Sequence, residues 1–257
     1  MKPLVIAVAA MAAAVAGSDL PDIKARGILR VIAASDEQPE TFSFKAGTDP
    51  GFDRELIEAF ARLQGLKVEA VAAKSYAGRI SMLVAGEGDV IVAIFDTAER
   101  RKQVDFTAEV MPTHNVVVTL DPSPAVTSLD QLRSQRVGVV KGTASVDEAL
   151  AAGVPPTNLV KLEDGEGALE ALRNGTITAT VRPISEFALA AKRTKGLRAG
   201  IVVGPAGHSS WAVRKGSVQL KSALDEYIAN TRRAATWNRL VVKYFGDQAL
   251  DVLGRKP

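Results

Sequence analysis

The side chains able to do chemistry in this 257-residue chain are few in kind. Cysteine is absent, which removes disulfides, thiolate metal ligands, a sulfur nucleophile and a lipid anchored through cysteine. The two histidines, His114 and His208, lie far apart in sequence, so no histidine-rich metal site is expected, and no cofactor. What remains is charge and hydrogen-bond chemistry: Glu37, Gln38, Tyr76, Asp96, Arg100, the run Gly142-Thr143-Ala144-Ser145, Arg182 and Glu186. No acid, base and nucleophile gather among them in sequence, which points to binding rather than catalysis.

Those residues fall at the ends of predicted elements. Ile23 to Gly27 reads as a short helix closed by glycine, and Ile28 to Ala34 as the strand after it. The polar segment Ser35 to Lys45, with Pro39 in it, is then a loop leaving that strand's carboxyl end and carrying Glu37 and Gln38. Asp53 is placed to cap a helix running to about Gln64, with Leu56, Ile57, Phe60 and Leu63 at helical spacing and Gly65 ending it. Lys67 to Ala72 alternates as a strand does, Arg79 to Ala85 predicts a short helix with Ile80, Leu83 and Val84 on one face, and Asp89 to Ile94 predicts a buried strand. Strands separated by helices in this way indicate a parallel sheet with helices on its faces.

Val116 to Leu120, leading into Asp121-Pro122-Ser123-Pro124, reads as a crossing into a second region. There the logic repeats: a helix from Leu129 to Ser134, a strand from Arg136 to Val140, helices from Val146 to Ala152 and from Gly165 to Asn174, and a strand from Thr178 to Val181. Ile201 to Gly207 has the strand-then-breaker character of a return crossing. The strand Trp211 to Arg214 and a helix from Val218 to Arg232, with Leu220, Leu224, Tyr227 and Ile228 inward, complete the first region. The expected architecture is α/β and two-lobed, residues 17–118 with 205–257 forming one lobe and 119–204 the other. Two crossings leave a cleft between the lobes, where small ligands usually bind.

At the N-terminus, Lys2 and the apolar run Leu4 to Ala16, ending Ala14-Val15-Ala16, read as a secretory signal peptide over residues 1–16 or as a buried helix; the run is too short to span a bilayer. The 32 basic and 29 acidic residues are mixed along the chain, giving a net charge of +3 with no single-sign block for nucleic acid or membrane.

Four stretches in order resemble the extracellular solute-binding proteins of family 3, the polar amino-acid type: Ile23 to Val31, Gly51 to Gly65, Ala98 to Thr107, and Trp211 to Gly216 with Trp237 to Gly246. The resemblance implies a type II periplasmic-binding fold, a monomer that closes on its ligand by a hinge motion, and delivery to the permease of an ABC transporter. It also implies roles. Glu99-Arg100 with Phe106 matches the pattern in which the arginine grips the ligand's carboxylate, a task suited to a rigid two-pronged guanidinium, unless Arg101 takes that role or Arg100 is a plain surface arginine. Gly142-Thr143-Ala144-Ser145 resembles the loop whose backbone N–H groups cradle the same carboxylate at a helix start, and it reads equally as an ordinary cap by Thr143 or Ser145. Tyr76 stands where an aromatic stacks on the ligand, or at the start of a surface helix. Glu37 and Gln38 border the cleft, as do His208 and Trp211 at its rim, unless Trp211 is core.

Two departures stand out. The family's Gly-x-Ser/Thr-x-Thr run is here Ala93-Ile94-Phe95-Asp96-Thr97, so Phe95 replaces a ligand-binding hydroxyl or packs in the core, while Asp96 faces a cationic group or pairs with Arg100. At Val181-Arg182-Pro183 the aspartate that usually pairs with an α-ammonium is missing, and an unpaired ammonium in a closed cleft would be costly. An ordinary α-amino acid is therefore disfavoured unless Asp96, Glu37 or Glu186 substitutes, and Arg182 favours a ligand with a second acidic group. Two other functions fit the same fold: a non-transport periplasmic accessory or sensor, and an enzyme like cyclohexadienyl dehydratase. Related domains also occur fused to cell-wall lytic enzymes, although this sequence ends soon after Gly246. Neighbouring permease and ATPase genes would favour transport; a neighbouring periplasmic dehydrogenase or sensor gene would favour the accessory role.

Overall fold

A computed structural model describes residues 19–35 and 37–254. The segment read as a signal peptide lies outside them.

The chain starts with helix α1 (Leu20–Arg26), which Asp19 caps through the Leu20 N–H and which Gly27 ends at φ 73°. Strand β1 (Ile28–Ala34), helix α2 (Phe52–Leu63), β2 (Lys67–Ala73), α3 (Gly78–Val84), β3 (Val90–Phe95), α4 (Ala98–Arg101) and β4 (Val104–Phe106) follow. Next come the long strand β5 (Met111–Leu120), α5 (Leu129–Arg133), β6 (Val137–Val140), α6 (Ala144–Ala151), β7 (Leu159–Leu162), α7 (Gly165–Arg173), β8 (Ala179–Pro183) and α8 (Ile184–Arg193). The 18-residue strand β9 (Leu197–Arg214) returns the chain to α9 (Val218–Arg233), α10 (Ala235–Phe245) and α11 (Ala249–Val252).

One nine-stranded sheet runs in the order β2-β1-β3-β9-β5-β8-β6-β7, with β4 also paired to β9. The β1–β2, β1–β3, β6–β7 and β6–β8 pairs are parallel, whereas β5 and β9 pair antiparallel to each other and to β3 and β8. Each lobe is thus three parallel strands followed by the two crossing strands, and the second lobe repeats the first.

Apolar clusters cover both faces of each half. In the first lobe Leu56, Ile57 and Phe60 of α2 pack with Val31, Val92, Trp211 and Trp237 on one face, and Ile32, Leu83, Ile91 and Phe106 fill the other. Val117, Leu132, Val139 and Val181 centre one cluster of the second lobe, and Leu169, Leu172 and Ile177 a further one. Helix α8 turns Ile184, Phe187 and Leu189 into the first lobe's cluster, so the segment just after Arg182 is anchored across the junction.

Several local expectations are corrected. Gly51, at φ 91°, and not Asp53, precedes the first turn of α2, and it makes no side-chain cap; Asp53 is drawn inward to another partner. Leu63 and Val84 are 74% and 49% exposed, each sitting just past the buried stripe of its helix. The breakers Gly204 and Pro205 lie inside β9, because the crossing is largely exposed there and one residue in the left-handed region (Gly204, φ 78°) redirects the strand without ending it.

Candidate functional site

In parallel sheets with helical crossovers, ligands bind beyond the carboxyl ends of the strands. The residues selected from sequence gather there: Glu37 and Gln38 after β1, Tyr76 after β2, Phe95 to Arg100 after β3, Thr143 and Ala144 after β6, and Arg182 at the end of β8.

The first lobe contributes a buried polar cluster around Arg79, which sequence reasoning missed. Arg79 is 2% exposed. Its Nη1 donates to the carbonyls of Val92 and Ala93, each at 3.2 Å, and its guanidinium lies 4.5 Å from the Tyr76 ring centroid. Its position four residues before Leu83, on the apolar stripe of α3, was the signal available. Ala93 holds a left-handed backbone (φ 50°) at the glycine place of the family's run; its N–H bonds the Asp53 carboxylate while its carbonyl accepts from Arg79. Asp53 also accepts from the indole Nε1 of the fully buried Trp211 at 2.8 Å. Burial outweighs these bonds and pushes its carboxyl up to about 6.

Glu37 accepts from the Tyr76 hydroxyl at 2.8 Å, while its Oε2 has no hydrogen-bond partner among the described residues and lies 4.0 Å from Arg79 Nη1. Burial raises the Glu37 carboxyl to about 8, with Glu186 adding to the effect; Arg79 at 4.0 Å opposes it and does not overcome it. Glu37 is therefore mostly protonated at neutral pH, a donor facing the cleft. Burial also lifts the Tyr76 phenol well above its ordinary value, so it stays neutral. Gln38 bridges to the Glu186 carbonyl across the junction at 3.5 Å, and its own Oε1 is unpartnered among the described residues.

Arg100 donates to the Phe95 carbonyl at 2.8 Å and, across the cleft, to the Gly142 carbonyl at 3.0 Å. No carboxylate among the described residues forms an ion pair with it. Asp96 does not: its carboxylate is engaged by Arg101 (2.6 Å from Nε) and by His208 Nε2 at 3.1 Å, because both reach the exposed side of the β3 end. Burial, reinforced by Arg79, lowers the Arg100 guanidinium to about 10, still charged at neutral pH. Phe95 is half-buried and lines a recess shared by Asp53, Ala93, Thr113 and Glu186.

On the facing lobe, Thr143 precedes the first turn of α6, yet its hydroxyl donates to the Val140 carbonyl at 2.7 Å and caps nothing. The Val146 N–H donates to the Thr143 carbonyl, and those of Ala144 and Ser145 are left to an outside acceptor. Arg182 is 3% exposed and pairs with Glu186 at 3.2 Å. Among the described residues there is no cluster of three metal-ligating side chains, and no helix is long and apolar enough to cross a membrane.

The sequence pattern of the bacterial extracellular solute-binding proteins, family 3, matches residues 29–247. Membrane-bound lytic murein transglycosylase F of Stutzerimonas stutzeri is 27% identical over 244 residues, 92% of this chain and 49% of its own length. The chain thus spans about half the length of the transglycosylases it matches. A probable histidine-binding protein of Campylobacter jejuni is 30% identical over 163 residues, 58% of this chain and 62% of its own. Among solved structures, an ancestral amino-acid-binding protein, described as a precursor of cyclohexadienyl dehydratase, superposes with a TM-score of 0.78 at 26% identity over 88% of this chain and 98% of its own. The L-cysteine solute receptor of Neisseria gonorrhoeae gives 0.77 at 27% identity over 92% and 96%. The chain belongs to the bacterial extracellular solute-binding proteins, family 3.

Proposed function

We propose that this protein is a periplasmic receptor that captures a small carboxylate-bearing molecule between its lobes and presents it to the permease of an ABC transporter. The observation that carries the reading is Arg100: a charged guanidinium at the end of β3, held by two carbonyls, one in each lobe, and paired with no acid among the described residues. A cation lodged in a half-dehydrated cleft is costly without an anion, and a ligand carboxylate supplies one as the lobes meet. The first-turn N–H groups of α6 face the same region and add backbone donors. Isothermal titration of a panel of amino acids and organic acids tests it. Arg100→Gln should weaken the best acid by about 30-fold or more, the cost of truncating one partner of a buried charge pair; equal affinity in the two proteins would remove Arg100 from the site.

A catalytic reading is favoured by one observation, the protonated Glu37 beside Tyr76, since a neutral carboxylic acid in a cleft is what general-acid chemistry requires. The same titrations separate the two readings: a cyclohexadienyl acid consumed with a rise in aromatic absorbance is turnover, and a saturating heat without it is binding.

A further inference from the structure

We propose that Arg182 is a second anion clamp, so that the ligand carries two acid groups, one on Arg100 and one on Arg182. This rests on the carboxylate-capture reading above and names the substrate class of that site.

Arg182 stands at the carboxyl end of β8 with its side chain 4% exposed. One arm, Nη2, reaches Glu186 Oε2 at 3.2 Å; Nε and Nη1 have no hydrogen-bond partner among the described residues. Two buried donors of one planar guanidinium left without acceptors are an unusual and costly arrangement, and either can take an oxygen of an anion. Arg182 borders a cavity that Tyr76, Thr143, Ser145, Gly165 and Glu186 line with it. Gly165 keeps that cavity open beside the guanidinium, since a Cβ there would sit 3.2 Å from Nη2. The start of α6, uncapped by any side chain, faces the same space and adds the positive end of a helix.

Of the acids near the cleft, Asp96 is held by Arg101 and His208 and Glu186 by Arg182, while Glu37 accepts from Tyr76 and keeps one oxygen, Oε2, unpartnered among the described residues. Arg100 reaches Gly142, one residue before Thr143 in the lining of the Arg182 cavity, so the two guanidinium groups flank one loop. On this proposal a diacid long enough to reach both guanidinium groups is the ligand, and an amine is not required.

The test compares the dicarboxylates from malonate to adipate with their monomethyl esters, which keep one carboxylate, by isothermal titration on the wild type, Arg182→Gln and Arg100→Gln. The best diacid should bind the wild type at least about tenfold more tightly than its ester, and Arg182→Gln should remove that preference by weakening the diacid more than the ester. Arg100→Gln should weaken both. The second clamp is overturned if no diacid is preferred over its ester, or if Arg182→Gln keeps the preference while Arg100→Gln loses both compounds; in the latter case the carboxylate reading stands alone. Arg100→Gln binding both as the wild type does, or no acid binding at all, overturns both proposals. Should Arg182→Gln fail to fold, seen by circular dichroism, the wild-type comparison of diacid with ester decides.

Discussion

At the scale of single residues, the cleft is set by which buried charges have partners. Arg100 has carbonyls only, Arg182 has one acid and two idle donors, and Glu37 is kept neutral by burial. Glu37 gives a pH signature of known sign. Its folded-state carboxyl, at about 8, lies above the value of 4.5 for an unperturbed glutamate, so the folded protein keeps a proton that the unfolded chain releases. The resulting stabilisation is complete below 4.5 and is lost as pH rises through about 8. Arg79, Tyr76, Glu186 and Asp53 face this carboxyl, and Asp53, pushed up to about 6, contributes in the same direction at lower pH. Glu37→Gln should therefore flatten the fall in thermal stability between pH 6 and 8, a fall of at most about 1.4 kcal/mol per pH unit for one proton. Melting curves of both proteins across that range check it; an unchanged slope would mean Glu37 is ionised in the fold. Sequence reasoning found Glu37, Tyr76 and Arg182 because resemblance marks the strand ends, but it gave no sign of their protonation or pairing. The protonation of Glu37 depends on burial and on Arg79, which reaches it from α3 only once the chain has folded.

At the scale of elements, period and punctuation located most helices and strands. Helix α2 was expected from Asp53 to about Gln64 and spans Phe52–Leu63, and α7 was expected from Gly165 to Asn174 and spans Gly165–Arg173. Less legible were the three-residue β4 and the four-residue β7, which are too short to show a period; the apolar face of α8, with Ile184, Phe187 and Ala188, was there to read. The pairing of β9 along β5 was hidden too, because its glycines and proline read as a break. The loop between β6 and α6 carries a prediction. Gly142, at φ 74°, packs so closely on the other lobe that a Cβ would lie 2.7 Å from that of Ala77. Gly142→Ala adds backbone strain of about 1–2 kcal/mol in any state, but the collision exists only when the lobes meet. Ligand affinity should fall about tenfold or more, and small-angle scattering should show no ligand-induced contraction; contraction equal to the wild type's would place the lobe contact elsewhere.

At the scale of the molecule, two similar α/β lobes share the strands β5 and β9, and Arg100 of one reaches the Gly142 carbonyl of the other. On the capture reading, a ligand carboxylate on Arg100 would take the place of the Gly142 carbonyl that Arg100 reaches across the lobes here. The most direct measurement is a crystal structure of the protein with the acid that binds it most tightly. A ligand carboxylate should lie on the Arg100 guanidinium within hydrogen-bond distance, in place of the Gly142 carbonyl and beside the first turn of α6. Arg100 still bonded to Phe95 and Gly142, with the acid elsewhere, would contradict the account.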